Sequence, residues 1–285
     1  MKILLTGASG QLGRALRDTL SAHEVVALDH AALDITDTVA VLEVIALARP
    51  DVVIHLAAWT DTLGCEREPE RTMWVNAEGA RNVAEAAREA GAVMLHVSTN
   101  EVFDGDKGSA YNEDDAPNAI NAYGRSKQAG EVAVRETLDR YYIVRTSWVY
   151  GPGGTSFPEK ILQAARDKKQ FRVVTDEIAS PTLTTDLARA IAQLIETNEY
   201  GMYHLTNAGE CSRKEWAEEV LRHAGVDVAI EATTQAEYGA AVRKPGLSTL
   251  ANGRAAALGI TLRPWQDALA EYIGTEVAQQ SRALA

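Results

Sequence analysis

The sequence predicts an α/β protein built on a doubly wound parallel sheet, with a smaller C-terminal lobe. Short β-branched runs alternate with helical stretches through the first half of the chain. Those runs are apolar throughout, as strands are when helices cover both faces of a parallel sheet. A glycine-punctuated turn, Gly7-Ala-Ser-Gly10-Gln-Leu-Gly13, follows the first run directly. Lys2–Thr6 reads as the first strand, and Gln11–Ser21 as a helix with Leu12, Ala15, Leu16 and Leu20 on one face. Val25–Leu28 is the second strand. Thr36 is placed to cap a helix running from Asp37 towards Arg49, which Pro50 stops. Val52–Leu56 is the third strand, Asn76–Glu89 a helix closed by Gly91, and Val93–Thr99 the fourth strand. Asn121–Leu138 reads as a helix and Tyr142–Ser147 as the fifth strand. The connections near 59–72, 100–120 and 150–156 are long and leave the carboxyl ends of strands, where ligands sit in an open parallel sheet.

Beyond residue 150 the pattern loosens. Ser156–Asp167 and Thr185–Glu196 read as helices, Phe171–Val174 and Met202–Thr206 as short strands, and Ser212 as the cap of a helix through Leu221. Residues 1–150 are therefore expected to form the sheet domain, and 151–285 mostly the smaller lobe, with some segments returning to the sheet. A chain of 285 residues can bury enough surface to need neither disulfide nor metal staple. Its net charge of −12 argues against binding nucleic acid, which takes a Lys/Arg surplus. It does not exclude a small anion held by backbone N–H groups and one or two Arg. Cys65 and Cys211 lack metal-ligand spacing and read as reduced thiols. The chain opens straight into a strand and has no run long enough for a membrane helix, so a soluble cytoplasmic protein is expected.

In its strand–turn–helix setting the glycine run reads as a Rossmann-type phosphate loop. Gly7 permits the turn, Gly10 lets backbone approach a pyrophosphate, and Gly13 lets the helix lie close to the sheet. The helix N-terminus adds free N–H groups and a partial positive charge. Asp29 ends the second strand about 20 residues on, where a carboxylate accepts hydrogen bonds from ribose hydroxyls and repels a 2′-phosphate. Its neighbour is His30, with no Lys or Arg beside it. The expected cofactor is NADH or NADPH, with NADH used at least as well.

Tyr123-Gly-Arg-Ser-Lys127 places a phenol and an ammonium one helical turn apart on one face. A nearby ammonium lowers a phenol's pKa, which makes the pair a tunable general acid. Ser98-Thr99 ends the fourth strand and offers a hydroxyl to the same carbonyl oxygen. His55, His96 and His204 lie in expected strands and read as core residues rather than ligands; Trp74, Trp216 and Trp265 read as core or lobe-packing residues.

These features form the short-chain dehydrogenase/reductase pattern. More closely, the chain resembles the dTDP-4-dehydrorhamnose reductases of the extended branch of that superfamily. The resemblance runs over nearly the whole chain: Gly7–Gly13, Leu33-Asp-Ile-Thr-Asp37, Ala57-Ala-Trp-Thr60, Ser98-Thr99 with Val102-Phe103-Asp-Gly105, Tyr123–Lys127, Arg145-Thr-Ser-Trp-Val-Tyr150 and Ser180-Pro-Thr182. It implies that Tyr123 protonates the C4 keto oxygen of a nucleotide sugar, that Lys127 lowers its pKa and holds the nicotinamide ribose, and that Thr99 orients the carbonyl. Gly10, Gln11 and Leu12 would hold the pyrophosphate, Asp29, Asp34 and Ile35 the adenosine end, and Ala58, Trp59 and Thr60 the nicotinamide side. Trp148 would pack on the sugar, and the Arg243-Lys-Pro245 segment would lie near the nucleotide. The partner is then a small nucleotide sugar, with no nucleic acid or membrane, and the protein a monomer or homodimer. Some relatives dimerise through a metal held partly by a Glu on the first helix; Ala15 stands there, so no metal is expected.

The chain also departs from the family. Asn100-Glu101 stands where relatives usually carry Asp-Tyr, beside the sugar, and Thr62-Leu63 stands where a Val-Asp step is common. The related dehydratases carry Thr-Asp-Glu at that strand end and use both acids; here only Glu101 is acidic. Reductase is the leading reading, with another 4-ketosugar-nucleotide reductase, an epimerase, a dehydratase, or a non-catalytic cofactor-binding regulator as alternatives.

Overall fold

The computed structural model describes residues 1–167 and 170–283. The strands are β1 (Lys2–Thr6), β2 (Glu24–Leu28), β3 (Val52–His55), β4 (Val93–Thr99), β5 (Tyr141–Thr146), β6 (Val149–Tyr150), β7 (Gln170–Val174), β8 (Ile178–Ala179), β9 (Thr182–Leu183), β10 (Gly201–His204), β11 (Cys211–Ser212) and β12 (Ala229–Thr233). The helices that matter here are α1 (Gln11–Thr19), α2 (Thr38–Ala48), α3 (Thr62–Arg67), α4 (Pro69–Met73), α5 (Gly79–Glu89), α6 (Ala122–Thr137), α7 (Phe157–Asp167), α8 (Thr184–Leu194) and α9 (Arg213–Ala224).

Six strands form one sheet in the order β2-β1-β3-β4-β5-β10, every pair parallel. Strand direction in β1 splits its side chains between two cores. Ile3 and Leu5 join Leu12 and Leu16 of α1 and Leu187 and Ile191 of α8 on one face. Leu4 joins Val41 and Ile45 of α2, Val83 of α5 and Val134 of α6 on the other. Both faces are dry, which is why the strands read as continuous apolar runs. The order reverses between β1 and β3, so a crevice opens beyond their carboxyl ends. The loops leaving β1, β3 and β4 all meet there.

Late segments complete this sheet: β10 pairs with β5, and α8 packs beside α1. A third core, around Tyr150, Trp216, Trp265 and Tyr272, holds the smaller lobe. Ser212 caps α9 through a full capping box with Glu215, and the helix runs on to Ala224. Strand β12, parallel to β7, has no counterpart in the sequence reading.

Some local expectations differ from the structure. Asp37, not Thr36, caps α2, accepting from the N–H groups of Val39 and Ala40, while Thr36 donates to Asp34. A carboxylate competes well for the amide pair at a helix start. The stretch 59–72 holds the short helices α3 and α4. The helix expected from Asn76 starts earlier as a π-helical turn, Trp74–Glu78, and only then becomes α5. Trp216 and Trp265 are buried, but Trp74, the first residue of the π-helical turn, is 55 % exposed.

His55, His96 and His204 are buried in β3, β4 and β10. Burial pushes His55 and His204 down to about 3, and His96 well below its ordinary value. A folded-state pKa below the unfolded value of about 6.5 means that these groups stabilise the fold fully above that pH. The stability is lost as pH falls towards 3. Between those limits each such histidine should cost about 1.4 kcal/mol per pH unit. Urea unfolding at pH 7, 6 and 5 checks this; equal stability at all three would show that the histidines are not buried neutral.

Candidate active site

The phosphate loop is shaped by two close approaches. Gly7 has φ +68°, and a Cβ on it would lie 2.7 Å from the Ala57 amide nitrogen of the β3 loop. A Cβ on Gly13 would lie 2.6 Å from the Gly7 carbonyl oxygen, so α1 can rest on the turn only if Gly13 stays bare. Gly10 caps α1 without a side-chain hydrogen bond, and a Cβ there would meet only the Gly7 oxygen, at 3.3 Å. The N-terminus of α1 thus faces a roomy cradle with its amides uncapped, a fit for a pyrophosphate. Leu12 sits in the core and the Gln11 amide donates to the Gly151 carbonyl at 2.7 Å, so both offer the cradle their main chain. Arg14 likewise donates to the Gly153 carbonyl.

At the adenosine end, Asp29 is exposed beyond β2 and accepts from the Ala32 N–H at 3.0 Å. Asp34 is taken up by the N–H and hydroxyl of Thr36, at 2.9 and 2.8 Å, which hold its carboxyl below the ordinary range. Ile35 is a core residue whose carbonyl accepts from Asn82. Asp29 is the freer of the two carboxylates.

Ala58, Trp59 and Thr60 leave β3 beside the same crevice. Asn76, in the π-helical turn, brackets Trp59: its Oδ1 accepts from the Trp59 N–H at 2.7 Å and its Nδ2 donates to the Trp59 carbonyl at 2.9 Å. The same Nδ2 donates to Ser126 Oγ at 2.9 Å, and Ser126 donates to the Tyr123 carbonyl. One buried amide therefore ties the loop after β3 to the helix of Tyr123 and Lys127. No local pattern pointed to Asn76.

Asn121 caps α6, accepting from the Gly124 N–H at 2.8 Å. A Cβ on Gly124 would fall 2.0 Å from the Glu101 carbonyl oxygen, so the helix lies hard against the 3₁₀ turn Asn100–Val102. That contact brings the Tyr123 phenol beside Thr99, whose hydroxyl accepts from the Glu101 N–H at 3.2 Å. Tyr123, Lys127 and Glu131 follow at i, i+4 and i+8 along one face. Lys127 Nζ lies 3.2 Å from His96 Nε2. Glu131 accepts from Arg145 at 2.8 and 2.7 Å and from Ser98 Oγ at 2.6 Å, all buried.

The electrostatics correct one expectation. The Tyr123 phenol is pushed up, not down: burial leads, the Glu101 carboxylate adds, and the Thr99 hydrogen bond opposes. Lys127 is turned towards His96, its Nζ 3.2 Å from Nε2. The phenol is thus held protonated, ready to act as an acid. Burial lowers Lys127 to about 8, with Glu131 opposing.

On the substrate side, Asn100 donates to Ser248 Oγ at 2.8 Å. Glu101 accepts from both Lys244, at 2.8 and 2.9 Å, and Asn121, at 2.8 Å. Arg243 has an exposed side chain and reaches the site through its carbonyl, on Asn121 at 3.2 Å; the engaged cation is its neighbour Lys244. Trp148 has φ +44°, a strained conformation for a bulky residue, and lies under the Arg213 guanidinium at 3.6 Å beside Trp216. Arg213 pairs with Glu177 at 3.2 Å.

A phosphate loop on the first strand and a Thr–Tyr–Lys constellation at the carboxyl edge of a parallel sheet make this an oxidoreductase of the short-chain dehydrogenase/reductase class. Residues 1–277 match the family model of the RmlD substrate binding domain. A dTDP-4-dehydrorhamnose reductase from Streptomyces griseus is 42% identical over 278 residues, 94% of this chain and 91% of that protein. The Bacillus subtilis spore coat polysaccharide biosynthesis protein SpsK is 39% identical over 274 residues, covering 95% and 96%. The crystal structure of a dTDP-4-dehydrorhamnose reductase from Bacillus anthracis in complex with NADP superposes with a TM-score of 0.92 at 37% identity, covering 95% of this chain and 98% of that one. The chain belongs to the dTDP-4-dehydrorhamnose reductase family.

Glu131→Gln would leave the Arg145 guanidinium buried against a neutral amide. We expect a loss of about 3–5 kcal/mol, as for other buried pairs cut on one side. Urea denaturation checks it, and Glu131→Gln combined with Arg145→Met should recover part of the loss.

Proposed function

We propose that the chain catalyses the NAD(P)H-dependent reduction of the C4 ketone of dTDP-4-dehydro-L-rhamnose, yielding dTDP-L-rhamnose. One observation carries the reading: the Tyr123 phenol, beside Thr99, stands one turn from the buried Lys127 on the same helix, next to an uncapped phosphate cradle. Bound in that cradle, a reduced nicotinamide dinucleotide supplies the hydride.

The chain's own residues do the rest. The main-chain N–H groups at the start of α1 hold the pyrophosphate, and Asp29 takes the adenosine ribose. The Asn76 bracket keeps Ala58, Trp59 and Thr60 in place at the nicotinamide side. Thr99 and Tyr123 grip the ketone oxygen from one side. As that oxygen gains negative charge, the phenol gives it a proton, and the Lys127 ammonium stabilises the phenolate left behind. Asn100 and Glu101, with Trp148 across the cleft, line the sugar's place.

Dehydratase chemistry asks for a second carboxylic acid at this strand end. Asn100 is instead an amide donating to Ser248, and Glu101 is engaged by Lys244 and Asn121. A purely regulatory role fits poorly with a complete Thr99–Tyr123–Lys127 set. The reading also takes the chain as a cytoplasmic monomer or homodimer. Two buried free thiols, Cys65 and Cys211, suit a reducing compartment, and no described helix is long and apolar enough to cross a membrane.

The test offers dTDP-4-dehydro-L-rhamnose and a panel of other 4-ketosugar nucleotides, following NAD(P)H oxidation and identifying products by NMR. Turnover should be fastest on the rhamnose precursor; faster turnover of another sugar replaces the substrate assignment, and none at all returns the protein to a binding role. Tyr123→Phe should lower kcat by about 10²–10⁴-fold while NADH binding stays near wild type. Because Asp29 would face a 2′-phosphate, kcat/KM for NADH should equal or exceed that for NADPH. Lys127 is charged below about 8 and neutral above it, so reduction should decline as pH rises through that value. A rate that stays level to pH 10 would remove the ammonium from the mechanism.

A further inference from the structure

Lys127 carries a long, flexible side chain into a dry place, and something must decide where its three N–H donors point. The groups around it are Tyr123 and Glu131 from α6, His96 from β4, His55 from β3, and Arg145 from β5 acting through Glu131. Glu131 is already tied to Arg145 and Ser98. The hydrogen-bond partner of the ammonium is His96 Nε2, at 3.2 Å.

We propose that His96 is a positioning residue: its Nε2 accepts one donor of Lys127 and so aims the other two into the cofactor cleft. The role of the lysine rests on the function proposed above.

Three observations support this. First, His96 Nδ1 is buried and has no hydrogen-bond partner. If Nε2 accepts, Nδ1 carries the proton, so the fold leaves an N–H unpaired in order to present an acceptor to Lys127. Among the described residues, Nε2 is thus the only ring nitrogen of His96 with a partner, and that partner is Lys127. Second, the ring cannot swing away. His55 is its register neighbour on β3 and stacks against it, with centroids 5.3 Å apart and planes 23° apart. From the helix side, a Cβ on Gly130 would already lie 3.4 Å from Nε2. Third, His55 Nδ1 hydrogen-bonds Thr6 Oγ at 2.8 Å, and Thr6 is the residue before Gly7. The row Thr6–His55–His96–Lys127 therefore registers the catalytic lysine against the phosphate loop.

The test compares His96→Leu, which keeps bulk and removes the acceptor, with His96→Gln, which restores a carbonyl acceptor. NADH binding is titrated by fluorescence from pH 6.5 to 9.5, without any sugar. His96→Leu should bind NADH about tenfold more weakly, the size of one hydrogen bond to a charged group. The pH at which binding weakens should also fall below about 8, because the ammonium has lost an acceptor that favours its charged form. His96→Gln should recover most of both effects. Wild-type affinity and pH midpoint in the Leu variant overturn the proposal, since a merely structural histidine would move the melting temperature and not the midpoint. If the Leu variant does not fold, ¹⁵N NMR of the wild-type imidazoles at pH 6.5 decides: the Nδ1–H tautomer at His96 is required, and Nε2–H refutes it. A protein that binds NADH but turns over no ketosugar fails the substrate assignment alone.

Discussion

Burying the ammonium of Lys127 is the constraint around which the site is organised. Taking such an ion out of water costs several kcal/mol unless partners replace the solvent. Here Glu131 supplies the opposing charge one turn along α6, and His96 supplies the acceptor. Glu131 cannot stand alone either, and it binds Arg145 and Ser98. Arg145 in turn covers the ring of Phe103 at 4.9 Å, which stacks on Tyr111. Each charge placed under α6 thus recruits the next, until α6, β4 and β5 share one buried polar network. Removing Glu131 leaves Arg145 and Ser98 without their buried partner, which ties the geometry of Tyr123 and Lys127 to the core rather than to a loop.

The same core explains why the phenol is an acid before any ligand arrives. Packing α6 against the Asn100–Val102 turn buries the Tyr123 hydroxyl and sets Glu101 nearby, and both effects favour the neutral form. The ammonium one turn away is drawn to His96 and leaves the phenol protonated. An ammonium that contacts the phenol only weakly in the resting site can still matter at the moment of proton transfer, when a phenolate appears in a medium of low dielectric.

What the sequence made legible follows from range. Gly7–Gly13, the Tyr123–Lys127 spacing and the β-branched strands are local patterns, and local geometry reports them directly. The features it hid are pairings across the chain. Lys244 meets Glu101 across 143 positions, and Asn76 reaches Ser126 across 50. Neither leaves a periodic trace, because each depends on where a later helix or strap lands. Trp74 reads as a packing residue from its size alone, yet it opens the π-helical turn and stands largely exposed. Arg243 is the cation the sequence singles out, but Lys244 is the one that pairs with Glu101, while Arg243 meets Asn121 through its carbonyl.

The charge distribution gives the acidic chain, at −12, a way to hold anionic ligands. For the cofactor, the cradle offers backbone amides, which bring partial positive charge without a counter-ion. Of the cations near Glu101 and Trp148, Lys244 is already paired with Glu101 and Arg213 with Glu177. Pairing fixes two long side chains before binding, so less side-chain freedom is lost when a ligand is gripped. It also cancels their far field. A polyanion, which gains affinity by neutralising many free cations, finds little to gain on such a surface.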